Sequence, residues 1–293
     1  MRLASTARAS TALASTALAS AAPARLAAHG VLLAVSCFVL FPYGWMLATS
    51  LKPVAELALV PLRWLPEAPT LGNYAAVLDD PRFLRSLLNS LVVAVAVTLL
   101  SLLLSVPAAY GLTRLTRRGG RGVLVGILAS QFFPPMVFFV PFYIILQTVG
   151  LLNTLPGLVF AYLSVSLPVC TWMVATSLRD VPAEIEEAAR IDGCGDLAMI
   201  RRIILPLAAP GIVTAGVFAF VLAWQEYIFA LLYTTSEAAQ TAPVVMFYLL
   251  SQHQIDYARL MAASVLLSLP VVIPFAVIQR VYRSGLAEGG IKG

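Results

Sequence analysis

Reactive and charged side chains gather in two places in this sequence, and the spacing of each suits binding rather than bond-making. The first is an island over residues 180–206, DVPAEIEEAARIDGCGDLAMIRRIILP, set between long apolar runs. Its acids, arginines and glycines are spaced like helix ends around a hinge, an arrangement for docking and for turning the chain. The second is Glu226, an ionisable group inside an apolar stretch, preceded by Trp224 and Gln225 and accompanied by Asn89 in an earlier apolar run. An aromatic ring beside amides and an acid suits stacking on, and hydrogen bonding to, a sugar. An acid at that depth is costly enough that it normally faces a polar cavity or a partner. Two readings of Glu226 therefore stand: it lines a solute path with Asn89, Trp224 and Gln225, or it is a structural acid paired with another subunit.

No catalytic array accompanies these residues. There is no GxxxxGK[ST] phosphate loop, and the only lysines are Lys52 and Lys292, neither after a suitable glycine run. The two histidines, His29 and His253, form no H-E-x-x-H zinc motif, and no nucleophile, base and orienting group fall together. Cys37, Cys170 and Cys194 lack metal-ligand spacing and read as free thiols. The expectation is a chain that is not an enzyme and binds no metal or cofactor of its own, so any catalysis comes from a partner.

The elements that carry these residues must lie in a membrane. Sixty per cent of residues are hydrophobic, mean hydropathy is +0.90, and 11% are charged, whereas soluble domains carry about 25%. The composition predicts an all-α polytopic membrane protein, with lipid as a partner and no mark of nucleic-acid binding. Residues 4–20 are a low-complexity ASTAR/ASTAL repeat, and residues 1–28 read as a disordered tail rather than a cleavable signal peptide. A misassigned start codon is the alternative. Residues 29–293 form the membrane domain.

Six spans follow from the uncharged runs. Residues 30–51 supply 22 uncharged residues for the first, since about 20 cross the hydrocarbon core. Residues 52–85 are a charged, Pro-rich loop with Trp64, Tyr74 and Phe83, and residues 86–113 are the second span. Residues 122–178 hold 57 residues without a charge, which as one helix would run ~85 Å. They must cross twice, with the break at GLLNTLPG, residues 150–157, where Gly, Asn and Pro signal a turn. The fifth span covers 207–233, which places Glu226 ~28 Å along it. A loop over 234–259 precedes the sixth, 260–279. Pro134, Pro135 and Pro141 interrupt helical hydrogen bonding in the third span, giving either a working bend or a static kink. The spans show no internal repeat, which weighs against a secondary carrier built from duplicated halves.

The island reads as two short helices. Asp180 caps the first, Pro182 suits its start, and Glu184, Glu186 and Glu187 place negative charge where the helix dipole favours it. Gly193 and Gly195 end it. Asp196 caps the second, residues 197–204, with Arg201 and Arg202 in its last turn and Pro206 as the stop. With the amino terminus inside, fourteen basic residues fall on the inner side and five, Lys52, Arg63, Arg82, Arg85 and Arg259, on the outer. That asymmetry puts the island and both termini in the cytosol.

Glu187, Ala188 and Ala189, then Gly193, then Ile203, Leu205 and Pro206 match the EAA loop of ABC importer permeases in register. Other segments narrow the resemblance: Ser50, Leu51, Lys52 and Pro53; Asn73 and Tyr74; Asn89 and Ser90; Pro134, Pro141, Gly150, Leu151, Asn153 and Thr154; Trp224 with Glu226. Together with residues 285–293 they resemble the carbohydrate-importer permeases, specifically the MalG-like subgroup, over roughly residues 42–293. Ala287, Glu288 and Ile291 depart from that subgroup's ending. The resemblance implies a type I ABC importer permease of six transmembrane helices in the cytoplasmic (inner) membrane of a bacterium. It implies that Glu187, Ala188, Ala189, Asp192, Gly193, Ile203, Leu205 and Pro206 couple to a separate ATPase, and that Lys292 in the tail contacts it. Implied partners are a second homologous permease, two ATPase subunits that bind ATP and Mg, and an external solute-binding protein or lipoprotein. The implied function is ATP-driven import of a sugar, a di- or oligosaccharide or related solute, by alternating access. A non-sugar solute such as a glycerol phosphate, and a secondary carrier, are the alternatives.

Overall fold

The computed structural model describes residues 27–57, 59–61, 63–116, 119–250 and 255–289. The expected 1–28 tail lies outside them except for Ala27 and Ala28, which are already helical, and Lys292 lies outside them too. Regular structure among the described residues is entirely helical.

Helix α1, Ala27–Ser50, is the first crossing. It packs on the rest of the chain through its last turns: Thr49 and Ser50 are buried, whereas its large apolar residues from Val31 to Tyr43 are exposed. Two short helices, α2 (Val54–Leu57) and α3 (Gly72–Leu78), fold the following loop back against it. The second crossing is α4, Pro81–Tyr110, started by an Asp80 cap that accepts from the Arg82 N–H at 3.0 Å. It runs on into a wide π turn, Gly111–Leu115.

The third crossing is not one helix. Helix α5 (Gly120–Ala129) and α6 (Phe139–Thr148) belong to two segments, Gly120–Phe132 and Pro135–Thr148, bent by 88°. Pro135 forces Pro134 out of the helical region, to φ −58° and ψ 128°, and neither residue has an N–H to give. Pro141, by contrast, breaks nothing. It falls in the first turn of α6, where its missing N–H would have had no intrahelical acceptor. The reversal expected at 150–157 is present, with Gly150 at φ 73°, Asn153 at φ 61° and Thr154 capping α7, Leu155–Arg179.

After the charged island come α10 (Leu205–Gln225), α11 (Ile228–Tyr233), α12 (Ala242–Leu250) and α13 (Tyr257–Gly289). Among the described residues, five helices are long and apolar enough to cross a membrane, and the bent pair counted as one crossing makes six. Helix α12 lies in what the sequence presents as a loop. Helices α4, α7 and α10 form the centre, each packed on the other two. Between apolar helices in lipid the attraction comes from close packing and interhelical hydrogen bonds, and the contacts follow suit. A Cβ on Gly211 of α10 would lie 2.3 Å from the Ser177 Cβ of α7. The buried Ser101 and Ser166 hydroxyls meet at 2.8 Å between α4 and α7.

Candidate functional site

The charged island folds as α8 (Ala183–Ile191) and α9 (Asp196–Met199), joined by a tight reversal. The reversal is a Schellman end: the Cys194 N–H donates to the Ala189 carbonyl at 2.9 Å and the Gly193 N–H to Arg190 at 3.1 Å. It needs Gly193 at φ 80°, where a Cβ is strained. Gly195 sits at φ −68° and ψ 151°, a conformation open to any residue, so only the first of the two expected glycines is required by the turn.

Three local expectations are corrected. Asp180 does not cap α8, because it is the C-cap of α7, just past Arg179, and α8 starts after Pro182 with no side-chain cap. Asp196 is the first residue of α9 rather than its cap, which is Gly195. Pro206 does not stop the second helix, since α9 continues through a π turn, Ile200–Ile204, into α10 as one crossing from Asp196 to Gln225. In an α-helix the Pro206 ring would press on the Arg202 carbonyl. The wider turn, in which the Leu205 N–H bonds to the Ile200 carbonyl, relieves that clash.

The hairpin has two unlike faces. Val181, Glu186, Ala189, Met199 and Ile204 are buried, and the apolar ones belong to the same core as Ala109, Leu178 and Ala208 of the spans. On α8, Glu184, Glu187, Ala188 and Ile191, at helical spacings i, i+3, i+4 and i+7, are all exposed. Ile191 is 86% exposed and Leu197, just past the turn, 70%. Of the sequence-predicted coupling residues, Glu187, Ala188, Asp192, Gly193 and Pro206 are therefore exposed. Ala189 is inside, and Ile203 and Leu205 are half-buried.

Arg114, which the sequence presents only as one basic residue among many, fixes the buried face. Its guanidinium donates to the carbonyls of Leu178 at 2.8 Å and Val181 at 2.6 Å, and its Nε lies 2.6 Å from the Glu186 carboxylate. Position in the sequence gave no hint of this, because the partners are more than sixty residues away.

The second array divides. Helix α10 ends at Gln225, and Glu226 turns the chain at φ −67° and ψ 127°. Its two carboxylate oxygens accept from the N–H groups of Phe229 at 3.0 Å and Ala230 at 3.2 Å, so it caps α11. Gln225 and Glu226 line a cavity of about 480 Å³ with Pro135, Phe139, Tyr162 and Phe229. A second cavity of about 220 Å³ shares Pro135, Val165 and Phe229 and adds Ser130, Gln131 and Ser164. The bend of the third crossing and the break of the fifth thus face one another, as irregular backbone at membrane depth requires when it borders a cavity. Sequence reasoning missed Ser130 and Gln131, though two polar residues in an apolar run, separated from a Pro pair only by Phe132 and Phe133, are a usable signal.

Of the other two predicted solute residues, Trp224 lines a further cavity of about 570 Å³ with Gln225, and Asn89 lines neither of the two cavities above. Asn89 donates both amide hydrogens, at 2.9 Å, to the carbonyls of Ala238 and Gln240. Trp224 is buried, stacked on Phe220 at 5.8 Å, with its Nε1 donating to the Leu267 carbonyl at 3.2 Å.

The family model described as binding-protein-dependent transport system inner membrane component matches residues 101–287. The sulfoquinovosyl glycerol transport system permease protein of Agrobacterium fabrum is 39% identical over 92% of this chain and 94% of its own length. The trehalose/maltose transport system permease protein of Thermococcus litoralis is 34% identical over 90% and 94%, and the trehalose transport system permease protein of Mycobacterium tuberculosis 31% over 92% and 99%. Among solved structures, a chain of a bacterial ABC transporter involved in alginate import superposes with a TM-score of 0.72 at 24% identity, covering 86% of this chain and 94% of that one.

Proposed function

Because this chain belongs to the family of binding-protein-dependent transport system inner membrane components, we propose that it is the membrane half-pore of an ATP-driven importer for a sugar or glycoside. The observation that carries the reading is the α8 stripe of Glu184, Glu187, Ala188 and Ile191, exposed on a helix whose opposite face is built into the transmembrane core. A helix so placed can receive a push from a docked partner and deliver it to the spans.

In this reading the hairpin and both termini face the cytosol, in agreement with the basic-residue asymmetry. Residues 29–293 act as one permease unit. A second, homologous permease completes the pore, two ATPase subunits bind ATP and magnesium and dock on the hairpins, and an external binding protein supplies the solute. The sugar class is supported by what the named relatives carry, glycosides and disaccharides. ATP-driven closure of the ATPases biases the spans between inward-open and outward-open states. The paired cavities at the bend and the break offer amides, hydroxyls and aromatic rings to a solute; of the sequence-predicted set, Gln225 is the exposed polar group there.

Expression of this chain with its neighbouring reading frames and reconstitution into vesicles tests the reading. Uptake of a disaccharide or glycoside that requires ATP inside and binding protein outside is expected. A purified complex that transports with no ATPase subunit would overturn it.

A further inference from the structure

We propose that Arg114 is a positioning residue that ties the coupling hairpin to the second and third crossings, so that a push on α8 moves four crossings rather than two. The inference rests on the permease reading above and goes beyond it. Covalently, the hairpin is joined only to α7 before it and α10 after it. The guanidinium adds a third connection, from the wide turn Gly111–Leu115 at the end of α4 to three places at once: the Leu178 carbonyl at the end of α7, the Val181 carbonyl in the link to α8, and the Glu186 carboxylate on α8 itself.

Each contact has a physical reason. The Leu178 carbonyl is among the last of α7, where its backbone donor is the Val181 N–H at 3.3 Å just past the helix end, so a lone pair is left for the guanidinium, and a cation is favoured at that end of the helix dipole. Glu186 is 5% exposed in its side chain and Arg114 16%, so neither charge is free to be satisfied by water. A planar fork can serve a carboxylate and two carbonyls together, which a lysine ammonium on a single point cannot do in the same geometry. Glu186 and Glu187, adjacent in sequence, therefore have opposite tasks: one faces inward to Arg114, the other outward on the docking stripe.

The same wide turn carries the connection onward. Helix α5 begins against it so closely that a Cβ on Gly120 would lie 2.1 Å from the Leu112 carbonyl oxygen. Motion of the turn is thus passed to the third crossing, whose bend borders the cavities. Wide turns of this kind are found disproportionately at functional sites.

The test uses the whole transporter, with partner permease, ATPases and binding protein, reconstituted in vesicles. Arg114→Gln is expected to assemble and to hydrolyse ATP at the basal rate, while uptake per ATP falls about tenfold, in the ordinary range of a coupling effect. Stimulation of hydrolysis by solute-loaded binding protein should be lost with it, and Arg114→Lys should fall between. Glu186→Gln leaves the guanidinium on both carbonyls and cuts only the tie to α8. It should uncouple as well, and the double variant should be no worse than Arg114→Gln alone. If Arg114→Gln fails to assemble, Glu186→Gln decides. Wild-type uptake per ATP in Glu186→Gln, or strict additivity in the double variant, overturns the proposal. Absence of any ATPase from the wild-type complex would instead remove the permease reading on its own account.

Discussion

At the end of the bundle away from the hairpin, three asparagines hold the loops; at the hairpin end, one arginine does. Asn73 donates to the carbonyls of Ser50 and Lys52, both at 2.8 Å, and Asn89 to those of Ala238 and Gln240. The Asn153 Oδ1 accepts from the N–H groups of Thr235 and Ser236 and from the Ser236 hydroxyl, at 2.9 to 3.0 Å. All seven bonds are neutral and each serves a peptide group or a hydroxyl close by. At the hairpin end the Arg114 guanidinium concentrates two carbonyls and a carboxylate on one side chain. Neutral bonds contribute about 1 kcal/mol each and charge-assisted ones roughly twice that. The asparagine end is a frame whose polar strength is spread out, whereas at the arginine end one polar joint, set beside the apolar packing of the hairpin, gathers the bonds through which load can pass.

That contrast has consequences that can be measured. The largest effect on stability is expected at the frame. Asn89→Ala leaves two carbonyls without their donors and should cost about 2–4 kcal/mol, read as a lower unfolding temperature of the purified complex, with uptake per ATP unchanged. Uncoupling without destabilisation would erase the distinction between the two ends. Next comes Gly193→Val, which puts a β-branched residue at φ 80° at a cost of about 1–2 kcal/mol. Insertion should be normal, ATPase co-purification weakened and uptake reduced; wild-type uptake at equal membrane level would show that the reversal does not shape the docking surface.

Glu187→Lys reverses a charge on the exposed stripe without touching the core. Uptake should fall by about tenfold, a loss near 1.4 kcal/mol of docking, and the ATPase should dissociate at lower salt. Unaltered binding of the ATPase subunits would move the docking surface elsewhere on the hairpin. Glu226→Gln keeps one acceptor for the α11 cap and should cost about 1 kcal/mol, leaving the solute concentration for half-maximal uptake as it was. A shift in that concentration with unchanged stability would instead make the side chain a solute contact. The smallest effect belongs to Gly195→Ala, expected within about 0.5 kcal/mol of wild type, because its backbone is extended and a Cβ there meets nothing within 4 Å.

Composition and pattern alone establish a helical membrane protein, the reversal near residue 150 and the hinge at Gly193. Each of these follows from residue type at a local spacing: uncharged runs long enough to span lipid, turn formers between them, a glycine where φ must be positive. The motif residues Asn73, Asn89 and Asn153 stand out in the sequence, but not their tasks, because each bonds to backbone that other parts of the chain bring to it. Helix ends follow the same division. Asp180 has the right chemistry for an N-cap, yet it closes the end of α7 instead of opening α8, and Pro206 signals a stop that the π turn at Ile200–Ile204 absorbs. The pairing of Arg114 with Glu186, and the meeting of the Pro134–Pro135 bend with the break at Glu226, depend on how α4, α7 and α10 pack. Contacts across sixty or more residues leave no periodic trace in the sequence, so the packing of the helices fixes them.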